Sequence, residues 1–379
     1  MDSPKKIIQF IYGMPVGGAQ TVVRNYALEL KKRGYNVKIL VLYRYPDSVN
    51  EKAISEAGIP IIDIFGVVSK RLGFRIKIKI FGRLLAYRKI KKLIREEEPD
   101  IIHIHLQLMR YLYPVRQYLN KTGLVYTCHS EVASIFDHSR KGNEEDEKCL
   151  RWFIENQKIQ IIALHSRMKE ELNELLGVDN VITLYNPINI MNIKNPQYSK
   201  EEMRRSLGIP QDAYVIGHIG SFSRVKNQKF LLRIFIKCLE KKENAFLLLV
   251  GNGPMLNEIK NQINLLDVKN RALILSNRKD IAEVLGVMDI FVFPSLHEGL
   301  SLALLEAQTA GVPCVISNTI SEETICVDNV QSLDLNEGEE QWVKAIYEPV
   351  TVSRAIRNDI SNFDLNFVIN QLEEIYDTF

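Results

Sequence analysis

At 379 residues the chain exceeds what one ordinary hydrophobic core organises, so two domains are expected. Its 46% hydrophobic and 25% charged residues are those of a globular protein, and no apolar stretch approaches the roughly 20 residues a membrane span needs. The five cysteines (Cys128, Cys149, Cys238, Cys314 and Cys326) are odd in number and lack Cys-x-x-Cys spacing, which argues against a disulfide framework or a cysteine zinc site and for reduced, cytosolic thiols.

The net charge of +3 is unevenly spread: residues 1–190 carry 30 Lys and Arg against 21 Asp and Glu, and the remainder 19 against 25. Between Ser69 and Arg95 lie eleven basic residues and no acidic one. Such a segment is expected to meet something anionic. Zinc-finger spacing and RNP-like aromatic motifs are absent, so nucleic acid is not the expected partner and an anionic membrane surface is.

In chain order, the opening Met1-Asp2-Ser3-Pro4-Lys5-Lys6 runs straight into a strand-like segment and has no signal-peptide pattern. The strand Ile7 to Tyr12 breaks at a glycine loop, Gly13 to Gly18, and a helix follows from Thr21 to Arg33 with Gly34 at its end. Asn36 to Tyr43 is nearly continuous in apolar residues, as a parallel strand buried on both faces must be. Further strands are expected at Ile59–Ile64, Ile101–Ile104, Leu124–Cys128, Ile159–Leu164 and Val181–Tyr185.

Asn186-Pro187-Ile188-Asn189 and the polar residues around Pro196 are the expected interdomain linker. A second series of strands follows at Tyr214–Ile219, Ala245–Val250, Leu273–Leu275, Ile290–Phe293 and Val312–Ile316, with helices at Lys229–Lys241, Met255–Leu266 and Ala303–Ala310. The last residues, Phe363 to Phe379, form an amphipathic helical pattern. Alternating strands and helices of this kind make parallel sheets whose strand C-terminal ends bind ligands.

The segment from Phe293 to Glu306 carries the most chemistry. A strand ends, Gly299 turns the chain, and a helix begins near Ser301, so the N–H groups of Leu300, Ser301 and Leu302 offer an anion site. Glu298 and Glu306 stand eight residues apart, about 12 Å if both were helical, which suits two ends of one long ligand. Glu306 lies among Leu302, Leu304, Leu305 and Ala307, and a carboxylate there needs partners such as ligand hydroxyls.

These residues resemble the family-four retaining GT-B glycosyltransferases. Glu298 to Glu306 matches their Glu-x7-Glu signature, followed by Ala307, Ala310, Gly311 and Pro313. Gly17-Gly18-Ala19-Gln20 is similar to the family's N-terminal glycine loop, and Val250-Gly251-Asn252-Gly253-Pro254 to its Gly-x-Gly-Pro turn. The runs Gly220 to Gln228 and Ile316 to Ile320 are most similar to bacterial exopolysaccharide and capsule enzymes. Several motifs in the right order on the right elements make a specific match.

The resemblance implies a role for each position. Lys226 would hold the donor diphosphate as a point charge, Glu306 would accept from the ribose hydroxyls, and Glu298 would contact the transferred sugar. Gly17 and Gly18 would let backbone approach the diphosphate. His129, after a strand, matches a family histidine beside the sugar. Glu298, His129 and Lys226 are thus the catalytic candidates. Gly17, Gly18, Arg224, Lys226, Gly299, Leu300, Ser301, Leu302 and Glu306 are the donor-binding ones. One position departs: the family carries Arg after the glycine at Gly220, where this chain has Ser221, and Arg224 is the candidate substitute. His103 and His105 share a strand face, but no Asp-x-Asp accompanies them and no metal is expected.

The expected architecture is therefore α/β, GT-B: two Rossmann-like doubly wound domains facing a central cleft. Residues 1–188, joined by the C-terminal helix 363–379, would bind acceptor, and residues 200–362 the nucleotide-sugar donor. The implied activity is retaining transfer from a nucleotide diphosphate sugar to a glycan or a polyprenyl-diphosphate-linked acceptor, without a cofactor, in the cytoplasm or peripherally on the inner membrane face. Rival readings are a nucleotide-sugar epimerase of the same fold and a non-catalytic GT-B binding subunit.

Overall fold

Strands that are apolar along their whole length can be stable only when both sheet faces are covered. Ala245–Val250 has all six residues buried and Ile290–Phe293 all four. The computed structural model describes residues 4–67, 72–140, 142–349 and 358–379, with the backbone alone for 72–80. The chain divides into two units, Met1–Asn186 with Asn366–Phe379, and Pro187–Leu365.

The first unit holds a seven-stranded sheet in the order β3-β2-β1-β4-β5-β6-β7. Its strands are β1 (Lys6–Ile11), β2 (Asn36–Val41), β3 (Ile61–Asp63), β4 (Ile101–His105), β5 (Gly123–Thr127), β6 (Ile159–Ala163) and β7 (Ile182–Thr183). All neighbours pair in parallel, with Gln9 opposite His103 and His105 opposite Thr127. The helix Leu365–Asp377 returns to this unit, where Tyr376 is fully buried and Arg33 bonds Glu373 at 2.6 Å.

The second unit repeats the same winding in a six-stranded sheet, β10-β9-β8-β11-β12-β13. Its strands are β8 (Tyr214–Ile219), β9 (Ala245–Val250), β10 (Ala272–Leu275), β11 (Ile290–Phe293), β12 (Cys314–Ser317) and β13 (Val330–Leu333). Phe222, Phe235 and Trp342 are fully buried in its core. In each sheet the order reverses between the first and fourth strands, β1/β4 and β8/β11. That reversal opens a crevice at the strand C-terminal ends, where such sheets bind ligands.

Several elements differ from the sequence expectation. The linker region is structured: Ile190–Lys194 and Lys200–Leu207 are helices, the latter started by a reciprocal capping box between Ser199 and Glu202. β12 begins at Cys314 rather than Val312, directly after Pro313, whose ring nitrogen has no hydrogen to donate to the ladder. β13 was not expected, because Val330-Gln331-Ser332-Leu333 is a sheet-edge strand with one buried residue and little apolar signal.

The basic segment is the helix Leu72–Glu97. Ala86, Ile90, Leu93 and Ile94 face the core, while Phe81, Leu84 and Leu85 are exposed. Lys70 and Arg71, and the side chains of Arg75, Lys77 and Lys79, lie outside the described residues. Among the described residues no helix is long and apolar enough to cross a membrane.

Candidate active site

At the reversal point of the second sheet, β8 hands over to the loop Gly220–Asn227, and β11 to the loop leading to Ser301. A short helical turn, Arg224–Lys226, ends at Asn227, whose left-handed φ of 54° an asparagine tolerates better than most residues. Its side-chain Nδ2 donates to Pro294 O at 3.1 Å, and Leu296 N donates to Val225 O at 2.7 Å, so the two loops are stitched together. The Gly-x-Gly-Pro turn after β9 closes against them. A Cβ on Gly251, at φ 152°, would lie 1.9 Å from Gly220 O, so only glycine lets the two backbones touch there.

This stitching sets Lys226 beside Glu298. Their Nζ and Oε1 are 2.6 Å apart, and Nζ also lies 4.6 Å from the Phe293 ring centre. Two candidates read separately from the sequence thus form one ion pair. Glu298 is not helical: its backbone bridges to Ile320 and its carbonyl accepts from Ser321 N at 3.2 Å. The separation of about 12 Å expected for two helical glutamates therefore does not apply. Arg224 and Ser221 are exposed on the same loop, with Ser221 Oγ 3.2 Å from Ser223 Oγ.

Gly299 and Leu300 lead to Ser301, which caps the helix Leu302–Thr309 through its Oγ accepting from Leu304 N. The first turn carries no acidic side chain, so its positive end is not neutralised from within. Glu306 sits half-buried on this helix, whose buried residues Leu304, Leu305, Ala307, Gln308 and Thr309 make it apolar over most of its surface.

In the first unit the corresponding position is the loop after β1. Gly17 stands at the start of the helix Gly18–Lys32, with no side-chain cap and no acidic residue in its first turn. A Cβ on Gly18 would meet nothing within 4 Å, so the protein's own packing does not require that glycine. After β5 comes His129, whose Nε2 is 2.8 Å from His105 Nδ1. Its Nδ1 is buried without a hydrogen-bond partner. Burial pushes its pKa down to about 3, and also lowers those of His103 and His105 well below the usual histidine range.

Sequence reading named His103 and His105 but not the groups they bond, nor His218. His103 and His105 do share one strand face, with ring centres 4.1 Å apart, yet they belong to a polar layer with Gln9, Thr127 and Tyr376. In the second unit, buried His218 donates from Nδ1 to Val292 O at 3.0 Å, and Gln228 Nε2 lies 3.3 Å from its Nε2 and 2.8 Å from Ser221 O. Burial lowers the His218 pKa to about 4, with Lys226 acting in the same direction. A polar residue inside an apolar strand (Gln9, His103, His105, His218) was the available signal. Among the described residues, no three His, Cys, Asp or Glu side chains converge as a metal-ligand set.

Residues 16–191 match the family described as Glycosyltransferase Family 4, and residues 199–349 the one described as Glycosyl transferases group 1. The chain belongs to these glycosyltransferases. The enzyme is 27% identical over 365 residues to EpsF of Bacillus subtilis (strain 168), which bears a glycosyltransferase name, covering 94% of this chain and 91% of that one. It is also 27% identical to a UDP-Gal:alpha-D-GlcNAc-diphosphoundecaprenol alpha-1,3-galactosyltransferase of Escherichia coli, covering 75% and 77%. The capsular polysaccharide biosynthesis glycosyltransferase CapH of Staphylococcus aureus is 26% identical, covering 76% and 79%. Among solved structures, Anabaena HepE in complex with UDP-glucose superposes with a TM-score of 0.72 at 19% identity, covering 99% and 100% of the two chains. The lipopolysaccharide glycosyltransferase WaaG does so at 0.68 and 17%, covering 98% and 95%. These likenesses establish the GT-B fold of two Rossmann-like units.

Proposed function

We propose that this glycosyltransferase moves a sugar, with retention, from a nucleotide diphosphate donor to a glycan or polyprenyl-diphosphate-linked acceptor in bacterial surface polysaccharide synthesis. The observation that carries the reading is the Lys226–Glu298 pair at the reversal point of the second sheet, beside the Ser301-capped helix. Support for the donor comes from HepE, which holds UDP-glucose, and support for the acceptor from the Escherichia coli relative named for a diphosphoundecaprenol substrate. The second unit would take the donor and the first the acceptor.

In this reading Lys226 and the start of the helix Leu302–Thr309 neutralise the diphosphate, and Glu306 accepts from ribose hydroxyls. Glu298 and His129 face the sugar, and Gly17 and Gly18 admit the diphosphate to the helix start behind them. The bond from the sugar's C1 to the diphosphate oxygen breaks, and the acceptor oxygen bonds C1 on the same face. The acceptor's proton leaves with the departing phosphate. The glycosyl centre passes through an oxocarbenium-like state. Fixed cations and helix ends take the place of a metal.

The enzyme would work on the inner face of the cell membrane. Phe81, Leu84 and Leu85 are exposed, and Arg88, Lys92 and Arg95 continue the same side of the helix Leu72–Glu97. Part of the positive charge is already matched, Arg83 by Glu145 at 2.6 Å, Lys89 by Asp63 at 3.8 Å and Lys92 by Glu96 at 3.7 Å. The reading is tested by thermal shift across a panel of nucleotides and nucleotide sugars, followed by donor turnover with and without EDTA. Stabilisation by one nucleoside diphosphate, with turnover indifferent to EDTA, is expected. Loss of turnover on chelation, restored by magnesium or manganese, would refute the metal-free mechanism.

A further inference from the structure

Six polar side chains in the first unit form one hydrogen-bonded chain that runs from the C-terminal helix to His129. Tyr376 Oη is 2.7 Å from His103 Nδ1, and His103 Nε2 is 2.7 Å from Thr127 Oγ1. Gln9 Nε2 donates to Tyr376 Oη at 3.1 Å, while Gln9 Oε1 meets His105 Nε2 at 2.7 Å. His105 Nδ1 then meets His129 Nε2 at 2.8 Å. The layer is buried: Gln9, His103, His105, Thr127 and Tyr376 are each 0% exposed. The ring of Tyr26, from the helix Gly18–Lys32, lies against His103 and His105.

The direction of the links to His105 and His129 follows from Gln9. Its amide oxygen can only accept, so His105 Nε2 carries the hydrogen. Burial depresses all three histidines, and the groups packed on His103 and His105 (Gln9, Thr127, Tyr26 and Tyr376) bring no charge near neutrality, so each ring is neutral with one N–H. His105 Nδ1 is then bare and accepts from His129 Nε2–H, which leaves His129 Nδ1 bare in turn. At the other end, Tyr376 Oη accepts from the Gln9 amide and donates its O–H in a hydrogen bond to His103 Nδ1, and His103 Nε2–H donates to Thr127. Every link has one donor and one acceptor. Turning the Gln9 amide over would reverse them all.

We propose that Gln9 and Tyr376 are positioning residues that fix His129 as the Nε2–H tautomer, so that Nδ1 meets a hydroxyl of the bound sugar as a neutral acceptor. This rests on the reading that His129 faces the sugar. A buried acceptor without a partner is costly, and an incoming O–H removes that cost. The same lone pair repels phosphate oxygens, which at neutral pH offer it no hydrogen. The chain of bonds therefore selects the sugar over the diphosphate as the partner of His129, and the C-terminal helix becomes part of the site's chemistry.

The decisive experiment is long-range proton–nitrogen correlation NMR on the full chain with 15N-labelled histidine, the His129 signals being assigned with His129→Gln. From about pH 6 to about pH 8, His129 is expected to show a protonated Nε2 and an unprotonated Nδ1. In Tyr376→Phe the Gln9 amide loses its acceptor, so mixed tautomers at His105 and His129 are expected. A loss of about tenfold in kcat/KM for turnover of UDP-glucose or UDP-galactose should accompany them. A protonated Nδ1 on His129, or a charged ring in that pH range, overturns the inference, as does an unaltered tautomer in Tyr376→Phe. Wild-type turnover by His129→Ala would instead remove the sugar contact itself, whatever the tautomer.

Discussion

Lys226 Nζ and Glu298 Oε1 are 2.6 Å apart, with side chains only 16% and 14% exposed, so each depends on the other for compensation of its charge. Lys226→Ala leaves Glu298 without its cation, and Glu298→Gln added to it relieves that cost. In a urea-denaturation double-mutant cycle the coupling is expected to be on the order of 1–3 kcal/mol. A coupling near zero would mean that the pair does not persist in solution.

Ser221 stands where the family resemblance implies an arginine, and exposed Arg224 lies on the same loop. If Arg224 supplies the missing cation, Arg224→Ala weakens donor binding about tenfold, and Ser221→Arg in that background restores part of it. Titration calorimetry with the nucleoside diphosphate picked out by the panel measures both. Unchanged affinity in Arg224→Ala rejects the compensation.

The buried histidines contribute a pH dependence to stability. Their folded pKa values are depressed, to about 3 for His129 and about 4 for His218, with His103 and His105 also well below normal. The unfolded chain, with histidines near pKa ~6.5, then binds more protons than the folded one below that pH. Their contribution is full above about pH 6.5 and is lost as pH falls from there toward the folded values. The unfolding free energy from urea titrations should therefore drop between pH 7 and about pH 5, by up to ~1.4 kcal/mol per pH unit for each histidine. A flat profile over that range contradicts the neutral buried layer.

For membrane docking, co-sedimentation with vesicles containing anionic lipid is expected at low salt and is lost at high salt. Each basic residue near the surface contributes about 1 kcal/mol. Arg88→Glu with Lys92→Glu should abolish it. Binding that ignores lipid charge, or that persists at high salt, refutes electrostatic docking.

Much of the architecture was legible because both sheets bury both faces, which leaves runs such as Phe246 to Val250 unbroken. The helix at Ser301 was legible from its cap and from the glycine before it. The linker helix Lys200–Leu207 had a signal of its own, Ser199 followed by Glu202, that its polar surroundings obscured. The Lys226–Glu298 pair was not legible, since a loop crossing sets it and no local pattern encodes that crossing. Nor was the bond from His103 to Tyr376, which joins positions 273 apart. The exposed apolar stripe at Phe81, Leu84 and Leu85 could be separated from core residues only once packing had shown which side of that helix is covered.

The most direct test of the account is sugar transfer from the donor identified by the panel, comparing wild type with Lys226→Ala and Glu306→Ala. The two residues are assigned to different parts of one donor, diphosphate and ribose. Each loss should cost about 2–4 kcal/mol of transition-state binding, roughly 30- to 1,000-fold in rate, with the circular dichroism spectrum unchanged. Turnover within about threefold of wild type for either folded variant would contradict the assigned site.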